Sequence, residues 1–154
     1  SMQDWDEIQN INIRGAVLAA KQAFNYMQKT GGNIINISSL GGLPAYEKFP
    51  GFTAYCVSKS ALIGLTESLA VEGKEYNIRV NAIGPGPTLQ GSRQSKENFE
   101  QQRRSTPLMR GADEIDITNA MNFILNAYSL TGQLICIDGG QHLAWQTPDV
   151  LGIE

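Results

Sequence analysis

The stretch from Asn36 to Lys59, N-I-S-S-L-G-G-L-P-A-Y-E-K-F-P-G-F-T-A-Y-C-V-S-K, sets a hydroxyl at the end of an apolar run, then a tyrosine and a lysine four residues apart. Its first residues close the run Asn33 to Ile37, β-branched and bounded by glycines, which predicts a buried parallel strand. Its last residues open a segment from Thr53 to Glu75 in which Ala61, Leu62, Leu65, Leu69 and Ala70 form a stripe of helical period. Strand and then helix is the unit of a parallel α/β sheet, and ligands bind such sheets at the carboxyl ends of the strands, where Ser38 and Ser39 fall.

Tyr55 and Lys59 share one helical face about one turn apart. A free phenol titrates near pH ~10, and a nearby ammonium stabilises the phenolate form. The pattern therefore predicts a proton-transfer site. Tyr55 acts as general acid or base, Lys59 supplies the positive charge, and Ser39 holds a carbonyl or alcohol oxygen by hydrogen bond, with Ser38 as the fallback. Tyr46 is a poor rival to Tyr55 because Pro50 stands where its lysine would have to be, although it could line the pocket.

Outward from this stretch, residues 4–29 carry Ile8, Ile11, Val17, Leu18, Ala20, Phe24 and Met27 at helical intervals, with acidic residues at the start and Lys29 at the end. One long helix is expected, stopped by Thr30-Gly31-Gly32. Ser1-Met2 reads as a tag remnant and start methionine and is excluded from the fold argument. Ile78 to Ile83 predicts a second buried strand running into the loop Gly84-Pro85-Gly86-Pro87-Thr88. Residues 91–110 are polar and predict a mobile helix and lid, with Arg103-Arg104 on a solvated face. Asp113 to Asn126 predicts an amphipathic helix with Ile115, Ile117, Ala120, Met121, Ile124 and Leu125 inward, and Leu134 to Ile137 a third strand. His142, the lone histidine, is assigned a structural or oligomer-contact role.

Composition excludes several classes. With 42% hydrophobic and 18% charged residues and a net charge of −3, nothing supplies a basic stripe for nucleic acid or an anionic membrane surface. No apolar run approaches the ~20 residues of a membrane span, and no signal-peptide pattern opens the chain, so a cytoplasmic location is the expectation. Cys56 and Cys136 lack metal-ligand spacing and are expected to be reduced and buried.

The succession N-I-I-N-I-S-S-L-G-G, Y-C-V-S-K-S-A-L-I-G-L-T-E-S-L-A, N-I-R-V-N-A-I-G-P-G-P-T and T-G-Q-L-I-C-I-D-G-G resembles the short-chain dehydrogenase/reductase family over nearly the whole chain. The resemblance implies NAD(P)-dependent hydride transfer to or from a carbonyl or alcohol carbon of a small molecule, with Tyr55, Lys59 and Ser39 as catalytic residues. Asn12, in I-N-I-R-G, matches the asparagine of the family's catalytic tetrad, and the resemblance implies that it keeps a bent helix and a water near the lysine; an amide satisfying backbone groups beside Gly15 is the alternative. Pro85, Gly86 and Thr88, with Tyr55 and Lys59, are the implied contacts to NAD or NADP, although the family threonine usually lies two positions later, where Gln90 stands. Ser39 and Tyr55 are sixteen residues apart, a few more than usual in the family, and the extra segment A-Y-E-K-F-P-G-F is expected to bulge over the cleft.

The implied fold is a partial, Rossmann-like, doubly wound α/β sheet of about three parallel strands with flanking helices, a single truncated catalytic domain over residues 3–154. The glycines do not form a G-x-x-x-G-x-G or G-x-G-x-x-G after a strand, so the N-terminal βαβ dinucleotide-binding half is expected to be absent. The family packs the helix of Tyr55 across a dimer axis, and Ser58, Ser60, Ala61 and Gly64 would admit another helix, so a homodimer or homotetramer is expected; the same small residues could serve packing on the sheet. The tail G-G-Q-H-L-A-W faintly resembles the pteridine-reductase branch, too little to name a substrate. The alternative function is an inactive remnant that folds and self-associates without binding a dinucleotide, covering the open edge of the first strand.

Overall fold

The computed structural model describes residues 1–43, 51–92 and 94–144. Three parallel strands, β1 (Gly32–Ile37), β2 (Ile78–Pro85) and β3 (Leu134–Ile137), lie side by side in chain order. In register, Gly32 faces Ile78 and Ile37 faces Ile83 across the first pair, and Ala82 faces Leu134 across the second. All three expected strands are present. β1 starts one residue earlier than the β-branched run, and β2 continues two residues beyond Ile83 because Gly84 and Pro85 still pair with Cys136 and Ile137.

Helices cover both faces, as the doubly wound reading requires. On one face Ala70, Ile78 and Val80 form a core with Phe24, Met27, Ile34 and Leu69, contributed by α2 (Gly15–Met27) and α3 (Thr53–Glu72). On the other, Ile83, Ala120 and Ile124 pack with Ile35, Ile117, Leu130, Ile135 and Ile137 beneath α5 (Glu114–Asn126). Alternation along β1 sends Ile34 to one core and Ile35 to the other. Ile83 and Ile124 are fully buried, each burial stabilising the fold by about 1.5–3 kcal/mol. Asn81, also fully buried, donates to Leu130 O and accepts from Gln133 N, so a polar side chain inside the sheet fixes the turn into β3.

Two expectations about helices are corrected. The single long helix is α1 (Met2–Gln9), a π-helical turn (Asn10–Arg14) and α2, with Gly15 N donating to Asn10 O five residues back. Each residue of the wider turn rotates less than in an α-helix, so the helical phase of every residue after Arg14 is set back. Val17 and Leu18 consequently stand exposed, Ile11 is exposed within the π turn itself, and Ala20 is the buried residue of α2. Ser1 caps α1 in a reciprocal arrangement with Asp4. In α5 the inward stripe is narrower than expected. Ala120 and Ile124 are buried and Ile117 packs beside them, whereas Ile115, Met121 and Leu125 are exposed.

Among the described residues no helix is long and apolar enough to cross a membrane. The cysteines are free. Cys56 is buried, but Cys136 is only half-buried; burial first, and then the charge of Asp138, pushes its thiol up.

Candidate active site

The sequence S-S-L-G-G turns sharply at the end of β1 and is bolted to the middle of α3. Ser39 is extended (φ −167°, ψ 162°) and caps a 3₁₀ turn, Leu40–Gly42, its Oγ accepting from Gly41 N at 3.3 Å. Ser38 Oγ donates to Lys59 O at 2.9 Å, and Ser60 Oγ donates to Gly42 O at 2.9 Å. A Cβ at Gly42 would come within 2.6 Å of the Lys59 carbonyl, so only glycine allows the turn to lie this close to the helix. Ser38 is thus spent on holding the lysine's backbone. Ser39 accepts one bond through its oxygen, and its hydroxyl hydrogen is not used in that bond.

Lys59 reaches back to β1, where Nζ donates to Ile37 O at 3.0 Å, and lies 5.7 Å from the centre of the Tyr55 ring. Burial pushes the Lys59 ammonium below its ordinary value of 10.5. The first turn of α3 is held from the other side by α1 and the π turn. Gln9 Nε2 donates to Ala54 O at 3.0 Å; Asn12 Nδ2 donates to Ser58 Oγ at 2.9 Å, and Ser58 Oγ in turn donates to Tyr55 O at 2.7 Å. Asn12 therefore sits on a helix irregularity, as expected, but its amide bonds the buried Ser58 hydroxyl and it is not among the residues lining the cleft.

A cleft of about 400 Å³ brings together Ser39, Tyr55, Lys59, Pro85, Gly86 and Thr88. Gly86 has a structural reason of its own: a Cβ there would meet Asp138 Cα at 2.7 Å, so the residue lets the end of β2 pass the end of β3. Thr88 Oγ1 donates to Gly86 O at 3.1 Å and so braces its own loop. The far wall is α4 (Lys96–Arg104), inside the segment expected to form a lid, and it adds Phe99 and Gln102 to the lining, with Gln94 just before it and Gln141 from the tail. None of these four stands out in the sequence, where a run of polar residues on an exposed helix carries no signal of its own.

Arg103 departs from the expectation. Instead of a solvated charge it is half-buried, donating to Pro87 O (3.2 Å) and Ala112 O (2.9 Å), pairing with Asp113 Oδ1 at 2.6 Å and lying 5.6 Å from the Phe99 ring centre. Arg104 is exposed, as expected. His142 has a structural partner, its Nδ1 lying 2.7 Å from Oδ2 of the buried Asp138. These two line a larger cavity of about 670 Å³ between α5 and β3 that contains none of the expected site residues. Tyr46 and Trp145 lie outside the described residues, as does most of the extra segment before Tyr55.

A family model described as enoyl-(acyl carrier protein) reductase matches residues 1–142. The chain belongs to the short-chain dehydrogenase/reductase family. An uncharacterized oxidoreductase of Thermotoga maritima is 38% identical over 151 residues, covering 91% of this chain and 59% of that protein. Among solved structures, FolM alternative dihydrofolate reductase 1 from Brucella suis, in complex with NADP, is 36% identical with a TM-score of 0.87, over 97% of this chain and 59% of that one. A short-chain dehydrogenase from Leptospira borgpetersenii with bound NAD⁺ is 28% identical with a TM-score of 0.80, over 92% of this chain and 57% of that one. The chain thus spans between half and three-fifths of its relatives' length, and the fold is the partial, Rossmann-like α/β sheet that the sequence implied.

Proposed function

We propose that this chain is the catalytic portion of an NAD(P)-dependent oxidoreductase that transfers hydride to or from a carbonyl or alcohol carbon of a small molecule. The observation that carries the reading is the convergence of Ser39, Tyr55 and Lys59 with residues 85–88 on one cleft. The residues present fit the nicotinamide end of a dinucleotide: Lys59 brings an ammonium with further N–H donors to the lining of the cleft, and the 85–88 loop lines it beside Tyr55. NADP in the Brucella suis structure and NAD⁺ in the Leptospira one support the cofactor class without choosing between them.

When bound, the nicotinamide supplies or accepts the hydride. In the direction of reduction, the Ser39 hydroxyl donates a hydrogen bond to the substrate oxygen and Tyr55 gives that oxygen a proton as charge develops on it. The Lys59 ammonium balances the phenolate left behind. Asn12 acts at one remove, holding Ser58 and through it the Tyr55 carbonyl, so it is a positioning residue in this mechanism. Association of two copies through the helices is supported by exposed Ile11, Leu18 and Val57 and by open space beside Gly64 on α3.

Calorimetric titration of the chain with NADH and NADPH tests the reading against the inactive remnant. Saturable binding of either, with turnover lost in Tyr55→Phe, is expected. A chain that binds neither cofactor is not an enzyme by itself.

A further inference from the structure

Ser38 and Ser60 stand outside the proposed chemistry, yet both tie the turn that carries Ser39 to the helix that carries Lys59. Ser38 Oγ donates to Lys59 O at 2.9 Å, from the strand end to the helix. Ser60 Oγ donates to Gly42 O at 2.9 Å, from the helix back to the turn. The two bonds cross: Lys59 and Ser60 are consecutive on α3, and Ser38 and Gly42 bracket Ser39 on either side. Between them the backbones touch, since a Cβ at Gly42 would stand 2.6 Å from the Lys59 carbonyl carbon and 2.9 Å from Ser60 N.

Each bond reaches a residue of the proposed reaction. Gly42 N donates to Ser39 O at 3.1 Å, so the residue that Ser60 holds also closes the turn on Ser39. Lys59 is gripped at both ends: Ile37 O accepts from its Nζ at 3.0 Å, and the next residue, Ser38, holds its carbonyl. Fixing both ends of a flexible four-carbon stem fixes where the ammonium stands. Tyr55, one turn earlier on α3, has its ring centre 5.7 Å from that ammonium, and these two are the titratable side chains among the described lining residues. Burial at this spot holds the ammonium below its ordinary value of 10.5, so its titration reports how closely it is kept there.

We infer that Ser38 and Ser60 are positioning residues: their crossed bonds clamp the turn to the helix and set the Lys59 ammonium and the Ser39 hydroxyl at their working separation. The inference rests on the reading of Ser39, Tyr55 and Lys59 as the proton-transfer site. A displacement of about 1 Å at such a site can cost about 10²-fold in rate, which gives two hydroxyls that touch no reactant a place in the reaction. Another bond, Asn36 Nδ2 to Thr66 Oγ1 at 2.9 Å, ties β1 to α3 about two turns further along the helix, and it supplies the control.

The test is an NMR titration of the whole chain labelled at lysine Cε, with the Lys59 signal assigned by its loss in Lys59→Met; it needs neither cofactor nor turnover. Ser38→Ala and Ser60→Ala should each raise the Lys59 value towards 10.5. Ser60→Thr, which keeps the hydroxyl at an exposed position, should restore the wild-type curve. Asn36→Ala should leave the curve unchanged, although it too loses a bond between β1 and α3. Wild-type curves in both alanine variants overturn the proposal. So does a shift in Asn36→Ala as large as theirs, which would mean that any loosening of β1 from α3 suffices. In turnover with NADH or NADPH and butane-2,3-dione as the carbonyl probe, the two serine-to-alanine variants should lower kcat about 5- to 50-fold and change KM less than about twofold. Full kcat in both would also overturn the proposal. Undiminished turnover in Tyr55→Phe defeats the proton-transfer reading instead, and a chain without turnover leaves the titration to decide the clamp.

Discussion

The two walls of the cleft are built differently. Ser39, Tyr55 and Lys59 are fixed by elements that span the fold: β1, the tight turn after it, and α3 braced by α1 and the π turn, with bonds linking residues 21 to 46 positions apart. The opposite wall, α4 with Gln94, is a polar helix without a buried residue, tied to its surroundings largely through Arg103. One wall is thus shaped by the core and the other by a single side chain. Under the proposed function, the proton transfer, which tolerates little displacement, falls to the first wall, while the second can change in sequence without disturbing the core.

The sharpest way to break this contrast is Tyr55→Phe. Removing the phenol oxygen should lower turnover by about 10²–10⁴-fold while leaving thermal stability nearly unchanged, measured by NAD(P)H absorbance and by a melting scan. Equal rates would show that the braced wall is not where the proton moves. Next in size is Arg103→Ala, which leaves the Pro87 and Ala112 carbonyls and the Asp113 carboxylate without their partner and should cost about 1–3 kcal/mol in denaturant unfolding. Faster amide exchange should be concentrated in α4 and absent from α3; exchange rising equally in both helices would mean that the walls are not independent.

Asn12→Ala should cost about 1 kcal/mol, since it removes one bond to a buried hydroxyl. Its more telling effect is on position. The Tyr55 ring resonances should shift while those of Phe99 do not, read by NMR. The smallest effect concerns Lys59. Burial lowers its folded value below the ordinary 10.5, so the native chain binds fewer protons than the unfolded chain between the two values, and the cost of burying the charge is relieved as pH rises through the folded value. Wild type should therefore gain stability relative to Lys59→Met as pH is raised from neutrality towards 10.5, in paired denaturant titrations; a difference independent of pH would show that the ammonium is not desolvated.

Much of this is legible in the sequence because it is local. The three strands are β-branched runs with turn residues at their ends, and Ser39, Tyr55 and Lys59 are tied by a strand end and by helical spacing. The π turn is legible only in part: the setting of Asn12 beside Gly15 points to an irregularity, but a helical-period count has no means of registering one extra residue per turn, and so it puts Val17 and Leu18 inward. Arg103 escapes the sequence for a different reason. Its partners are the carbonyls of Pro87 and Ala112 and the carboxylate of Asp113, and nothing in a pair of adjacent arginines says which one will find them.

By itself, then, the sequence determined the order of the elements, the sheet they build and the three residues at its carboxyl edge, because periodicity and spacing act within a few turns of chain. The tertiary structure alone decided what surrounds those residues. It joined Asn12 to Ser58 and not to the cleft, set Ser38 to holding Lys59, and brought Phe99 and Gln102 of an undistinguished polar helix, with Gln94 just before it, into the lining of the cleft that holds Tyr55. Those contacts depend on where α4 and the π turn come to rest, which is fixed by packing and by hydrogen bonds between distant parts of the chain.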